Sequence, residues 1–291
     1  MIQISNQHLI VTMTQEGGTL TSIRDAKTGR EYLWQGDPAY WTGQAPNLFP
    51  FVGRLYEKPY PLHGKAYPMT IHGFVRHAQM TVEEEQEASC CFLLTDSPET
   101  LAVYPYRFAF RIRYALEGPV LQVAFQVENR SEEPLYCGMG GHPGFNVPLE
   151  EGLTFEDYEL TFPEACTPRQ VVFSPALQVA PERPAYPLEE GRKLPLRHEL
   201  FDLDAVVLAG APRQVTLSSP KGSHGVTVAY PQMPYVGFWH KPQTDAPYVC
   251  IEPWSILPGR DNLVEELSQM PDMTTVAPGQ TFENRWSITI W

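Results

Sequence analysis

The chain has 291 residues, of which 43% are apolar and 12% aromatic, and its formal net charge is −13 at neutral pH. This length and apolar content suffice for a large hydrophobic core. The negative charge argues against binding to nucleic acid or to an anionic membrane surface, because both attract basic patches.

The N-terminal stretch MIQISNQHLIVTM is interrupted by polar residues and lacks the charged and apolar segments of a secretory signal. No apolar run approaches the roughly 18 residues that a membrane-spanning helix needs. The cysteines number five and form no CxxC pair, which disfavours a disulfide framework or a zinc motif. We therefore expect a soluble cytoplasmic protein with reduced thiols.

Short strands separated by turns dominate the predicted secondary structure, since 29 prolines and 21 glycines punctuate the chain. The segments FAFRIRYAL and VLQVAFQVEN alternate apolar and polar residues on either side of an EGP turn, which predicts an antiparallel hairpin with one buried face. In chain order, the pattern predicts strands at 8–14, 18–25, 89–95, 108–116, 120–129, 154–162, 204–209, 214–218, 225–230, 235–240, 248–252 and 284–291.

Only two segments have a helical pattern, 97–103 and 261–270, the second with Asp261 as a candidate N-cap. No repeat or change in composition marks a linker. A dozen or more antiparallel strands need two packed sheets to cover their apolar faces. We therefore predict an all-β protein, a large antiparallel β-sandwich with one or two short helices, that forms a single domain over residues 1–291.

The sequence contains no local motif for metal binding or for nucleophilic hydrolysis. His72 and His77 are five residues apart, which suits neither one strand face nor one helical face, and there is no HExxH or acidic calcium loop. A metal site assembled from distant residues stays open, but we predict none. The GxSxG elbow of hydrolases is also missing from the sequence.

General acid–base catalysis needs only one proton donor and one acceptor held close to the reacting atoms. His142 lies in the glycine-rich stretch YCGMGGHPGFNVPL, where the glycines would let the backbone approach a ligand. Glu252 follows the apolar run YVCI, at a predicted strand end where Pro253 would stop pairing and Trp254 could stack on a ligand ring. On residue types alone, both also fit ordinary structural roles.

Several stretches in order along the chain resemble the aldose 1-epimerase (galactose mutarotase-like) superfamily, most closely its LacX-like branch. They are YLWQGDPAYW (32–41), APNLFPFVGRL (45–55), HGFVRH (72–77), GGHPGFNVPL (140–149), LFDLDAVVL (200–208) and VCIEPW (249–254). The resemblance implies a β-supersandwich whose sugar site opens on a concave sheet face, and interconversion of the α and β anomers of an aldose without cofactor or metal.

By matching motif, His142 would protonate the sugar ring oxygen and Glu252 would remove the proton of the anomeric hydroxyl. The resemblance also implies Arg54, His72 and Asp204 as sugar-binding residues, with Asp202 as the nearest rival of Asp204. The implied partner is a monosaccharide, bound by a monomer or homodimer.

Three alternatives remain open at the sequence level. The same scaffold could bind or sense a carbohydrate without catalysis, or act on a hexose 6-phosphate, for which Arg76 and Lys58 are candidate phosphate ligands. Glycoside hydrolysis would need two carboxylates, for which Glu252 and Asp204 are available, but it leaves His142 without a task.

Overall fold

The computed structural model describes residues 1–56 and 59–291, and the regular secondary structure in this part of the chain consists almost entirely of β-strands. In chain order the strands are β1 Ile2–Ser5, β2 Leu9–Met13, β3 Leu20–Asp25, β4 Asn47–Leu48, β5 Tyr60–Leu62, β6 Lys65–Tyr67, β7 Thr81–Gln86, β8 Ser89–Thr95, β9 Phe108–Glu117, β10 Val120–Asn129, β11 Leu135–Cys137, β12 Gly140–Gly141, β13 Gly144–Asn146, β14 Glu159–Thr161, β15 Arg169–Val171, β16 Lys193–Pro195, β17 Val206–Ala209, β18 Gln214–Ser218, β19 Gly225–Ala229, β20 Tyr235–Trp239, β21 Tyr248–Trp254, β22 Thr274–Val276 and β23 Thr281–Ile290. One α-helix, α1, spans Pro98–Val103, and short 3₁₀ turns lie at Val75–His77, Phe155–Asp157, His198–Phe201 and Leu267–Gln269.

Two large antiparallel sheets form the body of the protein, as predicted. One has nine strands in the order β16-β14-β18-β19-β23-β10-β9-β8-β7. The other has seven, in the order β15-β17-β20-β21-β12-β4 with β13 paired beside β12 on β21. Smaller sheets, among them β1-β2-β3, complete the fold.

The hairpin of β9 and β10 forms where the alternating pattern predicts it. Its register pairs Ile112 with Phe125 and Tyr114 with Val123, all of them buried in the core. On the opposite, solvent-facing side, Arg111 donates to Glu83 at 2.7 Å, which links β9 to the end of the sheet. Because directly opposed residues share a sheet face, the period-two pattern fixes which side packs inward.

The seven-stranded sheet presents two unlike faces around β21. Val249 and Ile251 point towards the nine-stranded sheet and belong to the main core. Tyr248, Cys250 and Glu252 alternate with them and therefore lie on the outer face. A functional group on Tyr248, Cys250 or Glu252 is therefore directed away from the main core.

Helix α1 forms where predicted, with Ser97 as its N-cap. The backbone N–H of Thr100 donates to Oγ of Ser97, and the N–H of Ser97 donates to Oγ1 of Thr100, which closes a capping box. In residues 1–56 and 59–291, no helix is long and apolar enough to cross a membrane.

The predicted helix at 261–270 is wrong, since only a 3₁₀ turn at Leu267–Gln269 forms there. The N–H of Asp261 donates to the carbonyl of Val179, so Asp261 does not cap a helix, and Asn262 takes a left-handed φ of +57°. Contacts with a distant segment replace the local i→i−4 hydrogen bonds that the sequence pattern favours.

The predicted strand at 154–162 and the predicted end of the strand at 248–252 also differ from the structure. The first half of 154–162 is a 3₁₀ turn at Phe155–Asp157, and only Glu159–Thr161 forms β14. Strand β21 does not stop at Glu252 but continues to Trp254 through Pro253. The N–H of Ile251 donates to the carbonyl of Pro143, and the nitrogen of Pro253, two residues later, lies on the same side of β21. On that side the neighbouring strand changes from β13 to β12, so no hydrogen bond from residue 253 is needed there.

Candidate active site

A cavity of about 650 Å³ opens on the outer face of the seven-stranded sheet. The five residues singled out in the sequence, His142, Glu252, Arg54, His72 and Asp204, all line it. They come from five separate parts of the chain, which the sheet order β17-β20-β21-β12 and the flanking loops bring together.

His142 and Glu252 form a direct pair at this cavity. His142 lies in the short connection between β12 and β13, while Glu252 is the fifth residue of β21. Nε2 of His142 is 3.3 Å from Oε2 of Glu252, and the two side chains are only 11% and 2% exposed. An acid and a base are therefore held next to each other with little access for water.

Burial determines the proton affinity of both groups. Loss of hydration lowers the pKa of His142 to about 4 and raises the pKa of Glu252 well above its usual range, with the nearby Asp204 carboxylate adding to the second effect. Both shifts favour the uncharged forms. At neutral pH the pair consequently holds one proton, which either partner can carry.

The glycines before His142 have a different role from the one predicted. Gly140 and Gly141 are buried and do not line the cavity. A Cβ atom at Gly141 would lie 2.6 Å from Cζ2 of Trp286 in β23, and one at Gly140 would lie 2.8 Å from the carbonyl oxygen of Pro253. They let β12 pack tightly against its neighbours behind His142.

His72 faces His142 edge to face, with the ring centroids 5.6 Å apart. Its Nδ1 accepts a hydrogen bond from the N–H of Gly53 at 3.1 Å, so the proton of the neutral ring is on Nε2. Burial lowers the pKa of His72 well below its usual value, and the neighbouring His142 adds to this. His72 is therefore an uncharged hydrogen-bond donor at neutral pH.

Asp204 lines the cavity, whereas its sequence rival Asp202 is exposed and does not. Asp204 precedes β17 rather than lying within a strand, and its φ of +122° is one that residues with a side chain rarely adopt. Burial raises the pKa of its carboxyl group. Strained backbone of this kind persists where the surroundings enforce it, and it clusters at functional sites.

Arg54 and Arg76 supply positive charge to the cavity. Among the described residues, neither lies within 4.0 Å of a carboxylate oxygen, and Nε of Arg76 is buried without a hydrogen-bond partner. Burial and the nearby Arg54 both lower the pKa of Arg76. Lys58, the other candidate phosphate ligand, lies outside the described residues.

Two tryptophans at the cavity were not singled out from the sequence. The ring of Trp41 lies 5.1 Å from that of His142 at an interplanar angle of 33°, and Trp239 contacts the same imidazole edge to face at 5.7 Å. Trp254, which the sequence did suggest as a stacking residue, also lines the cavity. Aromatic residues are common in ordinary cores, so nothing in the pattern marks Trp41 and Trp239 as site residues.

Comparison with known proteins agrees with this architecture. The aldose 1-epimerase family model matches residues 1–289. The chain is 37% identical over 302 residues to the plasmid-borne Protein LacX of Lactococcus lactis subsp. lactis, and the match covers 99% of both chains.

Among solved structures, a galactose mutarotase related enzyme from Lactobacillus acidophilus is 34% identical, with a TM-score of 0.94 over 99% of this chain and 96% of that one. A galactose mutarotase-like protein from Lactobacillus casei is 28% identical, with a TM-score of 0.94 and complete coverage of both chains. The match of nearly the whole chain shows that this protein belongs to the aldose 1-epimerase family.

Proposed function

We propose that this protein is an aldose mutarotase, which interconverts the α and β anomers of a free aldose. The observation that carries the proposal is the contact between Nε2 of His142 and Oε2 of Glu252 in a cavity of sugar size. Membership of the aldose 1-epimerase family supports an isomerase acting on a sugar.

In the proposed reaction, the protonated His142 donates its proton to the ring oxygen while the carboxylate of Glu252 accepts the proton of the anomeric hydroxyl. The bond between C1 and the ring oxygen breaks as C1 becomes an aldehyde. Rotation about the C1–C2 bond presents the other face of the aldehyde. Ring closure then reverses both proton transfers, so the pair ends with the same single proton.

The pair alone suffices for a useful rate. A positioned acid or base typically contributes about 10²–10⁴-fold to a rate, and ring opening of an aldose needs no further activation of the carbon. Because burial favours the uncharged forms, the proton rests on Glu252, and it passes to His142 within the pair before the first step. The reaction therefore needs no proton from bulk solvent.

The other cavity residues would hold the sugar ring in position next to His142 and Glu252. The Nε2–H of His72 and the guanidinium of Arg54 would donate to sugar oxygens, and Asp204 would accept from hydroxyl groups. Trp41 and Trp239 would pack against the apolar face of the ring while they fix the imidazole of His142.

The test is exchange between α and β anomers of glucose, galactose and other aldoses, measured by two-dimensional NMR. We expect accelerated exchange with the parent protein and a loss of about 10²–10⁴-fold in Glu252→Gln and in His142→Asn. The control is the exposed pair His63 and Glu133, whose Nε2 and Oε2 are also 3.3 Å apart but outside the cavity.

The control variants His63→Asn and Glu133→Gln should keep the parent rate. If no aldose exchanges faster although one still binds, the protein is a carbohydrate-binding or sensing member of the family rather than an enzyme. Release of free sugar from a glycoside would instead favour hydrolysis by Glu252 and Asp204.

A second candidate substrate is a phosphorylated aldose. It is supported by Arg54 and Arg76 at the cavity, neither of which has a carboxylate oxygen within 4.0 Å in residues 1–56 and 59–291. Two arginines that face one cavity repel each other unless an anion lies between them. Bidentate guanidinium contacts are the usual way to hold a phosphate. The same NMR experiment with a hexose 6-phosphate separates the two candidates.

If the phosphosugar is the substrate, Arg76→Gln should slow its exchange by at least about tenfold while the slower exchange of neutral aldoses changes little. Equal losses for both sugars would assign Arg76 to packing of the cavity wall. Faster exchange of neutral aldoses in the parent protein would favour the first candidate.

A further inference from the structure

The outer face of β21 carries a third potential ligand next to the catalytic pair. Cys250 is two residues before Glu252, so both side chains leave the strand on the same face. A ring nitrogen of His142, the sulfur of Cys250 and a carboxylate oxygen of Glu252 all lie within 4.8 Å of one another. His142 and Cys250 are 108 positions apart in the chain, so no local sequence motif predicts the cluster.

The spacing of these atoms suits a tetrahedral cation. Zinc bonds of about 2.0–2.1 Å to nitrogen and oxygen, at tetrahedral angles, put two such ligands about 3.3 Å apart. Nε2 of His142 and Oε2 of Glu252 are 3.3 Å apart. With a Zn–S bond of about 2.3 Å, the sulfur lies about 3.6 Å from the other two ligand atoms, so the sulfur of Cys250, which is within 4.8 Å of them, needs to move inward by roughly 1.2 Å at most.

The surroundings leave one coordination position open. Cys250 is fully buried and packs with Trp34, Ala246 and Tyr248 in a small cluster on the outer face. His142 and Glu252 lie between this cluster and the cavity, which they line. A cation held by the three residues would thus face the cavity, where water could complete its coordination.

We propose that His142, Cys250 and Glu252 form a binding site for a thiophilic divalent cation, Zn²⁺ in the first place. A nitrogen, a sulfur and an oxygen ligand form a donor set that zinc accepts and that magnesium and calcium do not favour. Because the cation takes the atoms proposed to handle the sugar protons, it inhibits mutarotation rather than assisting it.

The site binds reversibly and more weakly than a structural zinc centre. Metal-bound histidines usually donate their second ring N–H to a fixed partner, which strengthens the metal bond. In the described part of the chain, Nδ1 of His142 is buried without such a partner. A chelator should therefore remove the cation and restore the starting state.

The experiment titrates the reduced protein with Cd²⁺ and follows the ultraviolet charge-transfer band that a thiolate–cadmium bond produces. Zn²⁺ then competes for the same site, which gives its affinity. We expect one cation per chain, with the band lost in Cys250→Ser and the zinc affinity at least about tenfold lower in His142→Asn. Cys166→Ser is the control, because Cys166 is a free thiol outside the cavity.

Two results would overturn the proposal: no band in the parent protein, or a band that survives in Cys250→Ser. Circular dichroism checks that each variant is folded, and Cys250→Ala replaces the serine variant if that one is not. The band reports thiolate ligation whether or not the protein turns over a sugar. A failure of the mutarotase proposal would therefore leave this test intact.

Inhibition provides the second readout. Zinc at a concentration that saturates the site should abolish the accelerated anomer exchange, and a chelator should restore it. Exchange that continues unchanged in the zinc-saturated protein would show that the cation does not occupy the atoms of the catalytic pair.

Discussion

At the scale of single residues, Asp204 combines an unfavourable backbone conformation with a place at the cavity. Its φ of +122° is a backbone angle that only glycine adopts without steric cost, and its carboxyl group is partly buried beside Arg54. A strained position of this kind costs about 1–3 kcal/mol. The fold bears this cost at a residue that we assign to sugar binding.

We predict that Asp204→Gly raises the free energy of unfolding by about 1 kcal/mol, because glycine relieves the strain, and that it weakens sugar binding. Asp204→Asn should weaken binding without the gain in stability, because the strain remains. Urea unfolding and a binding titration of both variants test this. A glycine variant less stable than the asparagine variant would contradict the strain argument.

Gly141 tests the packing behind His142. A methyl group there would lie 2.6 Å from Cζ2 of Trp286, and such overpacking typically costs about 1–3 kcal/mol. We predict this loss of stability for Gly141→Ala, together with slower anomer exchange because His142 is the next residue. In a double-mutant cycle, Trp286→Phe should make the alanine substitution less costly. Additive effects would show that the two sites do not interact.

At the scale of elements, the pairing of β20 with β21 places a residue without a side chain next to Glu252, which we propose as the base. Gly237 lies directly opposite Glu252, and a Cβ atom there would be 3.5 Å from that of Glu252 and 3.3 Å from the ring of Trp254. In the next outward-facing pair, Trp239 lines the cavity and Cys250 is buried beside it. The register of these two strands thus positions both Glu252, which we propose as the base, and the cavity wall next to it.

The end of β20 is joined to the preceding 3₁₀ turn by two histidines. Nδ1 of His240 donates to the carbonyl of Lys241 at 2.8 Å, so its Nε2 accepts from Nδ1 of His198 at 3.1 Å. His240 is fully buried, and desolvation lowers its pKa to about 4, while the Asp202 carboxylate opposes this shift. A proton on His240 would turn its Nε2 from an acceptor into a donor, so His198 would have to move its own proton to Nε2 to keep the contact.

We predict that His240 makes the protein less stable as the pH falls from about 6.5 to about 4. Across this range the unfolded chain binds a proton at His240 that the folded protein does not, so unfolding is favoured by up to roughly 3 kcal/mol. Urea unfolding at several pH values, compared with His240→Gln, isolates this contribution from those of His72 and His142. Identical pH dependence in both proteins would refute it.

At the scale of the whole molecule, one hydrophobic cluster connects the two large sheets. It includes Phe110 and Phe125 of the nine-stranded sheet and Phe238 and Ile251 of the seven-stranded sheet. The ring of Phe49, just after β4, stacks on Phe110 at 4.2 Å. Neither sheet can lose its partner without exposing a large apolar surface to water.

We therefore predict that residues 1–291 unfold as one cooperative domain. Urea unfolding curves followed by tryptophan fluorescence and by far-ultraviolet circular dichroism should coincide. Two separate transitions would instead indicate independent units. Light scattering on the same sample tests the predicted monomer or homodimer.

The sequence alone predicted much of the fold and the residues of the candidate site. The alternation in β9 and β10 identified a half-buried hairpin, because side chains in a strand point to opposite faces in turn. The motifs around His142 and Glu252, with those of Arg54, His72 and Asp204, named residues that all line one cavity. Strands and site residues could be predicted in this way because the alternation of a strand and the motif around a site residue each span only a few consecutive residues.

Only the tertiary structure decided what depends on distant neighbours. The segment 261–270 forms no α-helix because its backbone bonds to Val179, and β21 runs through Pro253 because the neighbouring strand is interrupted there. The 3.3 Å contact of His142 with Glu252, and the approach of Cys250 to both, arise from strand pairing across more than a hundred residues. Sequence periodicity reports the burial of a residue, whereas its partners are set by sheet register and packing, which no short segment contains.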